Sequence, residues 1–106
     1  APAPEPLHHV PFPVGASHSL DLRYLFDVGG APPLDARQQR LSDEMIGYWA
    51  GFVTTGVPGF AGAPVWPPVN DHPVDGPRMS FDADGSRVSD GFERDHQCGF
   101  WAGLPK

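Results

Sequence analysis

Leu41, Met45, Trp49 and Phe52 recur at spacings of four, four and three, and Ile46 and Val53 widen the stripe. That period puts apolar side chains on one side of a helix. The ends are marked as clearly as the face. Asp35 is suited to be the N-cap, with Gln38 three residues on to complete a capping box. Gly56 is a natural C-cap, and Pro58 prevents continuation. The pattern predicts one amphipathic helix within 34–56, long for a globular domain, whose Met/Trp/Phe stripe makes core contacts.

The remaining patterning is shorter. Pro2, Pro4, Pro6, Pro11 and Pro13 keep the first fourteen residues extended. Between Gly15 and Phe26 there is no proline. Leu20, Leu22, Tyr24 and Phe26 alternate at period two there, although a short helical turn fits nearly as well. Gly29-Gly30-Ala31-Pro32-Pro33 then breaks the chain. From Val57 to Arg78 the sequence is again rich in Pro and Gly and reads as a surface wrap, with Trp66 an isolated anchor between Pro64 and Pro67. Met79–Phe81 and Ser86–Val88 flank Asp84-Gly85 and predict a short hairpin. Phe92 to Trp101 is expected to form a closing helix with Phe92, His96 and Phe100 on one face. One long helix and one small hairpin cannot enclose a core by themselves.

Composition sharpens that last point. The chain has 106 residues, enough for one small domain, of which 13 are Gly and 14 Pro. Leu, Ile, Val and Phe make up under a quarter of it, close to the range in which chains fail to build a core. Much of the chain should therefore run as turns and extended connections lying on something else. A formal charge of -6 argues against nucleic acid, which needs clustered Lys and Arg; only Arg37 and Arg40 are close, and they read as a solvated helix edge. No apolar run approaches the roughly 20 residues of a membrane span. The Ala-Pro-Ala-Pro start, without Met, leads to the expectation of a processed or excised chain. Cys98 is the single cysteine, so it reads either as a small buried hydrophobe or as half of a disulfide to another chain segment.

Candidate chemistry is sparse. Gly15-Ala16-Ser17-His18-Ser19 approaches the Gly-x-Ser-x-Gly nucleophile elbow but ends in Ser. The elbow also needs a strand before it and a helix after it, and Pro11 and Pro13 precede this one. Ser17 is therefore not read as a nucleophile. His18, taken alone, is a loop histidine satisfied by backbone hydrogen bonds, or a general base suited to shuttle a proton between a serine and a leaving group. Asp82-x-Asp84-Gly85 has its glycine misplaced for a calcium loop and reads as a turn. His8, His9, His72 and His96 lack the spacing of a metal site. No cofactor is expected.

Taken in order, these segments resemble the C-terminal part of the type-B carboxylesterases, the family of cholinesterases, lipases and p-nitrobenzyl esterases. The family's histidine motif, Gly-x-x-His-Gly-x-Glu-Leu, is similar to Gly15-Ala16-Ser17-His18-Ser19-Leu20-Asp21-Leu22, followed by Tyr24-Leu25-Phe26. Leu41-Ser42-Asp43-Glu44-Met45, Tyr48-Trp49-Ala50-Gly51-Phe52 and Thr55-Gly56-Val57-Pro58 resemble its long helix. Pro64-Val65-Trp66-Pro67, Met79-Ser80-Phe81 and Cys98-Gly99-Phe100-Trp101 complete the series. Two positions depart from the pattern: Ser19 stands where the family usually has Gly, and Asp21 where it has Glu.

The resemblance implies an α/β fold, with residues 1–106 the C-terminal segment of a single α/β-hydrolase domain whose N-terminal part lies elsewhere. It implies His18 as the triad histidine, with Ser19 and Leu20 beside the substrate. The serine nucleophile and the acid would come from the N-terminal segment of the same enzyme, the expected partner. The substrate would be a small carboxylic ester, the isolated chain would be inactive, and a secreted location is expected. A non-catalytic adhesion member of the same fold and a self-folding secreted binding module are the alternatives.

Overall fold

Asp35 opens the dominant element in the way its sequence predicts. In the computed structural model, which describes residues 11–68 and 76–105, its carboxylate accepts from the backbone N–H groups of Arg37 (2.8 Å) and Gln38 (2.9 Å). The Gln38 side chain returns the favour to the Asp35 N–H at 2.9 Å. This reciprocal box satisfies donors that the helix itself leaves unpaired. Helix α2 then runs over Ala36–Thr55 and ends at Gly56, whose φ of 80° is left-handed and whose N–H donates to the Phe52 carbonyl at 2.8 Å. It is preceded by a single turn, α1 (Leu22–Leu25), which resolves the ambiguous alternating segment as helix.

The face that α2 buries differs from the expected one. Leu41, Ser42, Met45 and Tyr48 are buried, Tyr48 completely. Trp49 retains 43% of its surface and Phe52 56%, while Ile46 and Val53 are also exposed. After Met45 the buried line steps three residues, to Tyr48, instead of four, to Trp49. Both steps satisfy a helical period, so the covering chain decides. That cover is the Phe60, Trp66 and Phe81 rings, whose centroids lie 5.3–5.6 Å from Tyr48 in edge-on contacts, the favoured aromatic geometry. Trp66 is thus one member of an aromatic cluster and not an isolated anchor. The Tyr48 hydroxyl donates to the Pro64 carbonyl at 2.5 Å, which fixes the returning chain on the helix. A second cluster gathers Tyr24, Leu41, Met45 and Ala83, with Leu25, Leu34 and Phe81 against it.

Two glycines of α2 make the return possible. The returning chain passes so close that a Cβ on Gly51 would lie 2.0 Å from the Gly59 carbonyl oxygen, and one on Gly47 would lie 2.6 Å from the Phe60 ring. Glycines one turn apart therefore form a shallow groove for residues 59 and 60.

Strands β1 (Arg78–Ser80) and β2 (Arg87–Ser89) pair antiparallel, with Met79 opposite Val88. The connection is longer than a tight Asp-Gly hairpin, and it is organised by acids: Asp82 accepts from the Asp84 N–H at 2.9 Å, and the Gly85 N–H donates to the Asp82 carbonyl at 2.9 Å. Ser86 donates to Glu44 at 2.7 Å and Arg37 pairs with Asp84 at 2.9 Å, so the loop is docked on α2. The expected single closing helix is two short ones, α3 (Phe92–Asp95) and α4 (Cys98–Ala102). Gln97, with φ 52° and ψ 40°, interrupts them; this left-handed residue redirects the chain, so Phe100 leaves the face shared by Phe92 and His96. His96 stacks on Phe92 at 4.1 Å. Cys98 is half-buried and its thiol is free. His8, His9 and His72, and the first prolines, lie outside the described residues.

Candidate functional site

His18 sits on a chain of tight turns. Leu20 N–H donates to the Ser17 carbonyl (3.3 Å), Leu22 N–H to Ser19 (3.3 Å) and Tyr24 N–H to Asp21 (2.9 Å). His18 occupies the second position of the first turn, and Ser19 the third with φ 67°. A positive φ at the third position is what a type II turn requires, and it favours glycine. Ser19 thus adopts the backbone conformation that suits the glycine usual at that place in the related motif. Gly15, with φ 57°, supplies a second left-handed residue ahead of the histidine. The result is a short loop that holds the imidazole on the surface: His18 and Ser19 are exposed and Leu20 is half-buried.

What steadies this loop lies on its C-terminal side. Arg23 and Tyr24 are buried. The Arg23 guanidinium donates to the Pro32 carbonyl, closing the Gly/Pro connection against α1. The Ser42 hydroxyl, itself buried on α2, donates to the Tyr24 carbonyl at 2.5 Å. Burial pushes the Tyr24 phenol above its ordinary value of 10.0, the Asp35 and Asp82 carboxylates push it further, and Arg23 opposes them. Burial, helped by Glu44, does the same for Tyr48.

Among the described residues, concavities lie beside these elements. A cleft of about 400 Å³ lies against α1 and is lined by Arg23, Tyr24, Phe26, Pro32, Ser42 and Ile46 among others. An apolar groove of about 660 Å³ lies at the end of α2, between Trp49, Phe52 and Val57 on one side and Trp66, Pro67 and Pro68 on the other. His18 lines neither. The structure brings His18, Ser19 and Leu20 together only as neighbours along one loop. Ser17 has no strand before it among the described residues, so the elbow geometry is absent there. Among the described residues no three His, Cys, Asp or Glu side chains gather as a metal site, and no helix is long and apolar enough to cross a membrane.

Sequence reasoning gave Ser42, Tyr48 and the Gly47/Gly51 pair no individual role. The glycines carried a usable signal, because each weakens a helix interior by about 1 kcal/mol relative to Ala and so implies a compensating close approach. The Ser42 hydroxyl carried none, since a helical serine usually faces water or its own backbone.

In chain order the described residues give an exposed histidine loop, a long helix and a small hairpin. The chain matches the Carboxylesterase family over residues 3–101. It belongs to that family, whose fold is the α/β hydrolase and whose general activity is carboxylic ester hydrolysis. Over 54 residues it is 41% identical to bile salt-activated lipase of Mus musculus, and equally to that of Rattus norvegicus. The matched stretch is 49% of this chain and 9% of each lipase.

Proposed function

We propose that this chain is the C-terminal segment of a serine carboxylesterase and supplies its triad histidine, His18. The observation that carries the reading is the loop itself. An exposed imidazole is held between two left-handed residues, in the motif position of the base, within a chain that matches the family almost end to end. In the mechanism, His18 takes the proton of a serine hydroxyl as that oxygen attacks the ester carbonyl, then delivers the proton to the departing alcohol. It next takes a proton from water for deacylation. The serine and the acid that orients the imidazole belong to an N-terminal segment of the same α/β-hydrolase domain, and Ser19 and Leu20 border the ester. The substrate is a small carboxylic ester, and the enzyme is secreted.

The exposed residues support an incomplete unit. Trp49, Phe52, Val53, Val57, Phe100 and Trp101 each keep more than 40% of their surface, more apolar exposure than a finished small domain usually leaves in one chain. The test uses the intact enzyme and the chain alone, with a p-nitrophenyl ester and a serine-directed fluorophosphonate. The intact enzyme hydrolyses and is labelled; His18→Ala lowers kcat by on the order of 10^4-fold or more; the 106-residue chain alone does neither. Robust hydrolysis by the isolated chain, or full activity of His18→Ala, overturns the reading.

A further inference from the structure

α1 is one turn long and is closed at its end by the Phe26 N–H donating to the Leu22 carbonyl at 2.9 Å. A lone turn does not hold itself together in water. Yet the His18 loop depends on it, because three successive turn bonds connect Tyr24 back to Asp21, Leu22 back to Ser19, and Leu20 back to Ser17. A shift at Tyr24 is passed along this ladder to the residues on either side of His18. The fixed point at its far end is the Tyr24 carbonyl, which would otherwise be an orphan acceptor at a helix terminus. Ser42 satisfies it from α2 at 2.5 Å, in a buried contact. A serine in a helix commonly bonds its own preceding turn; this one reaches across to another element.

We propose that Ser42 is a positioning residue for His18, its hydroxyl fixing the turn that carries the imidazole by holding the Tyr24 carbonyl against α2. The inference rests on His18 being the base. Ser42 touches neither substrate nor the reacting atoms. Its loss leaves a buried carbonyl without a donor and lets α1 slide, and small misplacements of a catalytic group are expensive in rate.

The test measures fluorophosphonate labelling of the intact enzyme, resolved into a maximal rate and a half-saturating concentration, per folded molecule. Ser42→Ala is expected to lower the maximal rate about tenfold while the half-saturating concentration stays within about twofold. Ser42→Thr, which keeps the hydroxyl, stays within about threefold of wild type in both. If Ser42→Ala does not accumulate as folded protein, Ser42→Cys replaces it, with nearly the same volume and a much weaker donor. A wild-type maximal rate in the variant lacking the hydroxyl overturns the proposal, and so does an equal fall in Ser42→Thr. His18→Ala is run beside them. Its labelling at the wild-type rate would show that the assignment of the base has failed; loss of labelling there with Ser42→Ala unaffected defeats the positioning role alone.

Discussion

Replacing Gly51 by alanine adds one methyl group where the returning chain already lies. On an open helix face this change stabilises, by about 0.8–1.0 kcal/mol of helix propensity. Here the new Cβ would stand 2.0 Å from the Gly59 carbonyl oxygen, 3.0 Å from its carbon and 3.1 Å from its nitrogen. Ordinary carbon contacts begin near about 3.5 Å, so the loop would have to retreat by more than about 1 Å. Backbone cannot swing aside as a side chain can, and this backbone is pinned just beyond Gly59, by Phe60 against Tyr48 and by the Tyr48 hydroxyl on Pro64. Overpacking against backbone at this distance falls in the upper part of the usual range, about 2–3 kcal/mol, which outweighs the propensity gain. We expect Gly51→Ala to destabilise by about 1–2 kcal/mol net, lowering the urea midpoint by roughly 1 M for an m-value of about 1–2 kcal/mol/M. The assay is urea denaturation of the purified protein, followed by far-UV circular dichroism and tryptophan fluorescence. Gly47→Ala meets only the Phe60 ring, which can turn, and should sit near neutral; Gly99→Ala meets nothing within 4 Å and controls for propensity. A Gly51→Ala protein more stable than wild type would refute the close approach of residue 59 to the helix.

Ser19→Gly should relieve the left-handed strain and raise stability by about 0.5–1 kcal/mol, whereas Ser19→Val should lower it; thermal unfolding of the pair decides, and equal melting temperatures would count against the turn. Tyr48→Phe keeps the aromatic cluster but removes the donor to Pro64, for an expected loss of about 1 kcal/mol by the same denaturation assay. The chain has 2 tyrosines, both with phenols raised above 10.0. A phenol raised on folding adds stability below its unfolded value, and that stability is lost as pH rises through the folded value. Phenolate absorbance should therefore appear above pH 10 and coincide with loss of helicity. For Asp35 the sign is reversed: the Gln38 and Arg37 N–H groups hold its carboxyl below 3.8. The advantage of wild type over Asp35→Ala in urea midpoint should be complete at neutral pH and fade as pH falls below that value.

The residues of α2 that sequence reasoning placed correctly share a property: each acts within four positions of itself. Asp35 with Gln38, and Gly56 with Phe52, close local bonds that require only the right residue at the right spacing. The hairpin strands follow from a similar short-range pattern, and so does the helical option for residues 22–25. The reading of His18 rests on a different kind of signal. Its own neighbours left it a loop histidine or a general base, and only the order of motifs along the whole chain pointed to a triad base.

Contacts between distant segments were settled by the tertiary structure. The choice of Tyr48 over Trp49 as the buried aromatic depends on where Phe60, Trp66 and Phe81 arrive, since both residues fit a 3.6-residue period. The break at Gln97 and the left-handed Ser19 are backbone turns at residues that do not announce them. The bond from Ser42 to Tyr24 spans eighteen positions and joins two groups with no mutual signature in the sequence. Local bonds and periodicity determined which elements form, because their partners lie within one turn. The packing of those elements decided which faces are covered and what holds the histidine loop, because excluded volume and buried hydrogen bonds act between residues that the chain order keeps apart.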